Sequence, residues 1–104
     1  MERKCLSDFN ELNEYSKKYG VECVINNMGE QRVTRTGSIV FNNGRVASIV
    51  ETDVHGEIKF SVATCDYDGY FNWNILNVHG ADNGKFVCET EHEIIEACEI
   101  IRNL

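Results

Sequence analysis

Proline is absent from all 104 residues, which removes proline-rich linkers from consideration. No other linker, internal repeat or low-complexity stretch interrupts the chain. No apolar run approaches the ~18 residues that a membrane-spanning helix requires. The opening residues, Met1-Glu2-Arg3-Lys4-Cys5-Leu6, carry no apolar signal-peptide core. These absences predict a soluble, cytoplasmic protein. Paired cysteine motifs are missing too. Cys5, Cys23, Cys65, Cys88 and Cys98 are odd in number and include no C-x-x-C spacing. A secreted disulfide framework normally has an even count, and structural zinc sites use closely spaced ligand pairs. Free thiols packed as small apolar groups are expected, with no metal and no cofactor.

Positive charge is scarce. Ten Lys and Arg stand against seventeen Asp and Glu, a formal net charge of −7. That balance argues against direct binding to a nucleic-acid backbone, which depends on Lys and Arg, and against anionic membranes. It favours a basic partner, because an acidic surface speeds encounter with positive ones.

What is present fits one folded domain spanning residues 1–104. Hydrophobic residues make up 42% of the chain, enough for one modest core. A first helix opens after Ser7, a candidate N-cap. Acidic residues fill its early turns, and Lys17 and Lys18 its last, in the order the helix dipole favours. Phe9, Leu12, Ser16 and Tyr19 recur at helical spacing. Gly20 reads as its left-handed cap. Val21 to Ile25 then reads as a strand, and Asn27-Met28-Gly29 as a turn.

Three turn signals follow: Asn43-Gly44, His55-Gly56 and Asp68-Gly69. With two-residue turns at the first and last and a three-residue Val54-His55-Gly56 loop between them, a four-strand antiparallel meander results. Phe41 then faces Val46, Val50 faces Phe60, and Thr64 faces Trp73. One face collects Ile39, Phe41, Val46, Val50, Ile58, Phe60, Val62, Phe71, Trp73 and Ile75, as a core face should. Glu51 falls opposite Lys59 on the other face, a favourable pair. A two-residue His55-Gly56 turn would set Phe60 opposite Glu51 and mix the faces. Apolar Leu76 and Val78 break the alternation and suggest a bulge near Leu76.

Lys85 to Cys88 reads as a last strand. Thr90 and Glu93 have capping-box spacing. Ile94, Ala97, Cys98, Ile101 and Leu104 then form the apolar stripe of a second helix. The predicted fold is α+β: an antiparallel sheet of about five to six strands containing a four-strand meander, with an N-terminal and a C-terminal helix packed on one face.

Chemistry-bearing motifs are few. Asp66, Asp68 and Gly69 have some spacing of a calcium loop, but Asn77 stands where the loop's last Glu belongs. Phe71 and Trp73 suit base stacking, yet fall on the predicted core face without a basic groove. His55, His79 and His92 are dispersed. Cys88 and His92 are the nearest approach to a nucleophile–base pair, and no P-loop or Rossmann spacing occurs.

A surface remains. Thr34, Thr36, Ser38, Glu51, Lys59, Ser61, Asn72, Asn74 and Tyr70 fall on the predicted open face together with apolar Val40, Ala47 and Ile49, with Tyr67 beside the Asp68-Gly69 turn. Tyr among short polar residues is a composition that binding surfaces favour. In size, acidity and lack of catalytic motifs the chain is similar to phage- and mobile-element-encoded inhibitors and immunity proteins, a likeness carried by no motif. The leading expectation is a non-enzymatic acidic module that binds and masks a basic, nucleic-acid-handling protein. Its predicted partner-binding residues are Asp66, Tyr67, Asp68, Tyr70, Asn72 and Asn74. The alternatives are a small-molecule-binding or enzymatic domain, with a pocket between sheet and helices, and a homo-oligomer formed through a last helix widened by Ile95 and Ile100.

Overall fold

A computed structural model describes residues 10–27 and 33–104. Helix α1 spans Asn10–Tyr19 and leads directly into β1, Gly20–Asn27. Strands β2 (Val33–Phe41), β3 (Arg45–Val54), β4 (Glu57–Asp66) and β5 (Lys85–Cys88) follow, and α2 (Glu91–Arg102) closes the chain. The sheet is antiparallel, with strand order β1-β2-β3-β4-β5. Ser7, Phe9 and Met28-Gly29, expected to cap, line and turn the chain, lie outside the described residues.

Both helices cover the same face of the sheet. Leu12 and Tyr15 of α1 and Ile94, Ala97, Cys98 and Ile101 of α2 share one core with Ile39, Phe41, Ile49, Phe60 and Val62. The Leu12 amide donates to the Glu91 carboxylate at 2.9 Å, and the Tyr15 hydroxyl to Glu99 at 2.7 Å. Burial raises the Tyr15 pKa, reinforced by that carboxylate. The capping box forms: Thr90 Oγ1 accepts from the Glu93 amide, and the Glu93 carboxylate accepts from the Thr90 amide, each at 3.2 Å.

Gly20 does not act as a left-handed cap. It begins β1 without a positive φ, and it is needed for close approach. A Cβ there would lie 2.6 Å from the Ser16 carbonyl oxygen and 2.7 Å from Ile39 Cγ2.

All three hairpins differ from expectation by one residue. Asn42-Asn43-Gly44 is a three-residue loop, closed by Gly44 N–H to the Phe41 carbonyl, with Gly44 at φ 81°. Asn43 does not take a positive φ, and its side chain ties the loop to α2. Its Oδ1 accepts from the Arg45 amide, and its Nδ2 donates to the Ile101 and Arg102 carbonyls at the end of α2. His55-Gly56 is the two-residue turn, with both residues at positive φ, 55° and 82°. Tyr67-Asp68-Gly69 is again a three-residue loop, with Gly69 at φ 92°.

The consequences alternate. Val40, not Phe41, faces Val46. Phe60 faces Glu51, the pairing that the apolar pattern argued against, and Lys59 faces Thr52. Two one-residue shifts cancel, so Ile39, Phe41, Phe60 and Val62 still point to the core. Strand β3 alone is inverted. Ala47, Ile49 and Glu51 turn inward, while Val46 and Val50 turn to the open face. Ile58 lies largely exposed at the end of β4. The inward carboxylate is compensated: Glu51 is 8% exposed and accepts from Arg35 Nε at 3.0 Å.

The expected fourth meander strand does not form. Phe71 makes one bridge to Cys65, and pairing ends there. Asn72 Oδ1 then accepts from the Asn74 and Ile75 amides, turning the chain away. Leu76 is the anchor of this excursion and is fully buried, ahead of a 3-10 turn at Asn77–His79. Asn83 and Gly84, both at positive φ, form the turn into β5. Strand β5 occupies the β4 edge that the 71–76 segment was expected to take. Trp73 is therefore not opposite Thr64 and not in the core: it is 52% exposed.

Candidate binding face

The helices cover one face of the sheet, and among the described residues nothing covers the other. Residues on β2, β3 and β4 that alternate away from the core supply its floor: Ser38, Val40, Val46, Ser48, Val50, Ser61 and Ala63. The floor side chains are short, so the surface is a trough and not a ridge. Val40, Val46 and Cys65 form a small buried cluster within it.

Two grooves meet at Ser48. One, of about 350 Å³, runs over Val40 and Val46 to Cys65, Asp66 and Tyr67. The other, of about 260 Å³, runs over Val50 and Ser61 to Phe71, Trp73 and Lys85. The hairpin tip and the segment after it thus wall both grooves. Phe71 and Trp73 stack with ring centroids 4.8 Å apart and planes 8° from parallel. Such a pair stabilises itself by about 0.5–1.5 kcal/mol beyond the area it buries. Backbone contact fixes its base, because Gly84 packs directly on the Trp73 main chain. The Gly84 amide also donates to Asn77 Oδ1 at 2.9 Å.

The six residues expected to bind a partner divide into three groups. Tyr67, Asp68 and Tyr70 are exposed at the tip, with Tyr67 at 68% and Tyr70 at 75%. Asp66 lines the first groove, and its Oδ1 accepts from the Tyr70 amide at 3.0 Å, so it also holds the turn. Asn72 and Asn74 are exposed but serve the backbone: Asn72 through its side chain, Asn74 through a carbonyl that accepts from Asn77. Phe71 and Trp73 belong to this surface and were assigned to the core by the alternation Phe71-x-Trp73-x-Ile75. The usable signal against that assignment was the asparagine at both intervening positions, a residue depleted in strands.

Among the described residues, the Cys65 and Cys88 thiols are held in their neutral form. Burial pushes the Cys88 thiol up to about 11, with the Glu93 and Glu96 carboxylates adding to the effect. Cys65 is also raised, mainly by burial, against the opposing influence of Arg45. Cys65, Cys88 and Cys98 are buried free thiols. His92 Nε2 lies 2.7 Å from Glu96 on an exposed helix face, an i,i+4 contact, and makes no pair with Cys88. No cluster of three or more His, Cys, Asp or Glu suited to a metal occurs among the described residues. No described helix is long and apolar enough to cross a membrane.

No protein-family model matches this chain. Neither the curated proteins nor the solved structures contain a significant match.

Proposed function

We propose that this protein is a non-enzymatic binding module that engages a basic protein partner through the open sheet face and the Tyr67–Trp73 wall. The observation that carries this reading is the clustering of Tyr67, Tyr70, Phe71 and Trp73, all exposed, along one hairpin. Exposed aromatics concentrated in one patch are costly in water and enriched at interface hot spots. The net charge of −7 supports a basic partner. Covering that partner's working surface would inhibit it, as a phage- or mobile-element-type inhibitor does by steric and electrostatic masking. Raised thiol pKa values lend no support to a nucleophilic enzyme.

The test has two stages. A photo-crosslinking residue at position 70 should form protein adducts in the native cell, and one at Glu14, exposed on α1, should not. Adducts from position 14 alone, or adducts to nucleic acid only, would overturn the reading. Kinetics on the purified partner then separate charge from contact. Asp68→Asn should slow association and flatten its salt dependence, because exposed charges act by steering. Tyr70→Ala should speed dissociation, since aromatic anchors at hot spots are worth about 2 kcal/mol or more.

A further inference from the structure

We infer that the occupant of the open face is an extended, proline-rich segment of the partner carrying a basic residue about four positions from a proline. This rests on the preceding reading and specifies its ligand. The argument begins with what the trough offers. Its floor is made of strand side chains, and the strands beneath pair with one another. An added β-strand would find no backbone partners there. A ligand must therefore satisfy its own backbone or leave it to water. The polyproline II helix does the latter, and aromatic-lined grooves are its usual docking sites.

Charge sets the polarity. One end of the trough holds Asp66 and Tyr67, with Asp68 at the tip, two carboxylates against the single Arg45 cation across from Asp66; the other holds Trp73 and Lys85. A guanidinium fits the first end, where a carboxylate and an aromatic face lie together. Lys85 disfavours a cation at the second, leaving the Trp73 indole for an apolar ring. Val46 and Val50 mark the two compartments on the floor. Four residues of β3 cover ~13 Å, and a polyproline II chain advancing ~3.1 Å per residue covers that in about four. Single-stranded RNA would find an indole to stack on, but its phosphates would meet Asp66 and Asp68, with only Arg45 and Lys85 as cations along the described trough. A second copy of the chain brings another net charge of −7 against the first.

Trp73 is the sole tryptophan, so its fluorescence reports this site. The probe is a labelled polyproline dodecamer with arginine at every fourth or fifth position, read by anisotropy and by Trp73 emission. Controls are the same peptide with glutamate for arginine, an alanine-arginine peptide of equal charge, and oligouridylate. The proline-arginine peptide should shift Trp73 emission and bind at least about tenfold tighter than each control. Trp73→Ala and Tyr67→Ala, each checked for fold by circular dichroism, should both weaken it by about tenfold. Equal binding of the alanine-arginine peptide, preference for oligouridylate, or no binding up to about 1 mM would overturn the inference. If position 70 nonetheless crosslinks to protein, only the ligand class fails. If it does not, the binding-module reading fails with it.

Discussion

The inward-facing Glu51 makes the most discriminating stability prediction. Its carboxylate and the Arg35 guanidinium are the buried partners of an ion pair, with side chains only 10% and 15% exposed. An opposite pair about 4 Å apart in an effective dielectric of about 20 attracts by about 4 kcal/mol. Desolvation offsets much of this in the intact protein. The same desolvation is uncompensated when one partner is removed. Glu51→Ala or Arg35→Ala should therefore cost about 3–5 kcal/mol. Replacing both, Arg35→Ala with Glu51→Ala, should cost far less than the sum of the two, a coupling of about 2 kcal/mol or more. The alternative register places Glu51 on the open face against Lys59. An exposed pair of that kind is worth about 0.2–1 kcal/mol, and its single and double variants would be nearly additive. Lys59 in the structure is half-exposed, 3.2 Å from Glu57, so Lys59→Ala should change stability by less than about 0.5 kcal/mol. Urea unfolding followed by far-ultraviolet circular dichroism gives all four values. A Glu51→Ala cost below about 1 kcal/mol, or additivity with Arg35→Ala, would refute the inverted β3.

Three further outcomes follow from particular contacts. Trp73→Ala should cost about 2–3 kcal/mol, because half of an indole buries about 100 Å², the Phe71 stack adds a little, and no enclosed cavity is left; a loss above about 4 kcal/mol in urea unfolding would return Trp73 to the core. Gly84→Ala should cost about 3 kcal/mol or more, since φ is 83° and the new Cβ would lie 2.4 Å from the Trp73 carbonyl, while Gly56→Ala, at φ 82° with open space around it, should cost about 1 kcal/mol; equal melting shifts would show that the Trp73–Gly84 contact is absent. Arg102, hydrogen-bonded to Glu99 at 3.0 Å, holds that carboxyl below its ordinary value, against a smaller opposing effect of burial. Its folded pKa is the lower one, so its stabilisation is present above the ordinary carboxylate range and lost as pH falls through the folded value. Glu99→Gln should flatten the acid side of stability against pH, and an unchanged slope would contradict the pairing.

The two helices, the capping box and the α+β order were legible because each depends on short-range signals. Ile94, Ala97, Cys98 and Ile101 at helical spacing need no knowledge of the sheet. The hairpins were harder because an Asn-Gly pair fits two loop lengths. Asn43 spends its amide on the end of α2, a contact 58 residues away in sequence, and glycine alone takes the positive φ. At His55-Gly56 the residue that accepts a positive φ is a histidine, a tolerated but less expected choice. The alternation test then preferred the register with more apolar residues inward. It had no means of knowing that Arg35 would neutralise Glu51 from the neighbouring strand. The tip residues Tyr67 and Tyr70 were found because turn chemistry exposes them. Phe71 and Trp73 were missed because a period of two is also what a strand would give.

The inverted β3 connects stability with the binding face. Inverting β3 moves Glu51 into the core, at the expense of desolvating a charge. The same inversion brings Val46 and Val50 onto the open side, where they form the apolar floor of the two grooves. With β3 in the other parity the floor would carry Glu51, and a carboxylate would sit in the trough opposite Lys59. The Arg35–Glu51 pair thus does more than complete a core layer. It allows a register whose outer face is apolar at the centre and walled by aromatics. The double variant Arg35→Met with Glu51→Leu keeps that register, so it should retain the floor, the Phe71–Trp73 stack and binding. A variant that leaves Arg35 unpaired should lose stability first and binding only with it. Measuring partner or peptide affinity on both variants, under conditions where each is folded, separates the two roles. Equal loss of affinity in the well-folded double variant would show that the ion pair itself shapes the binding face.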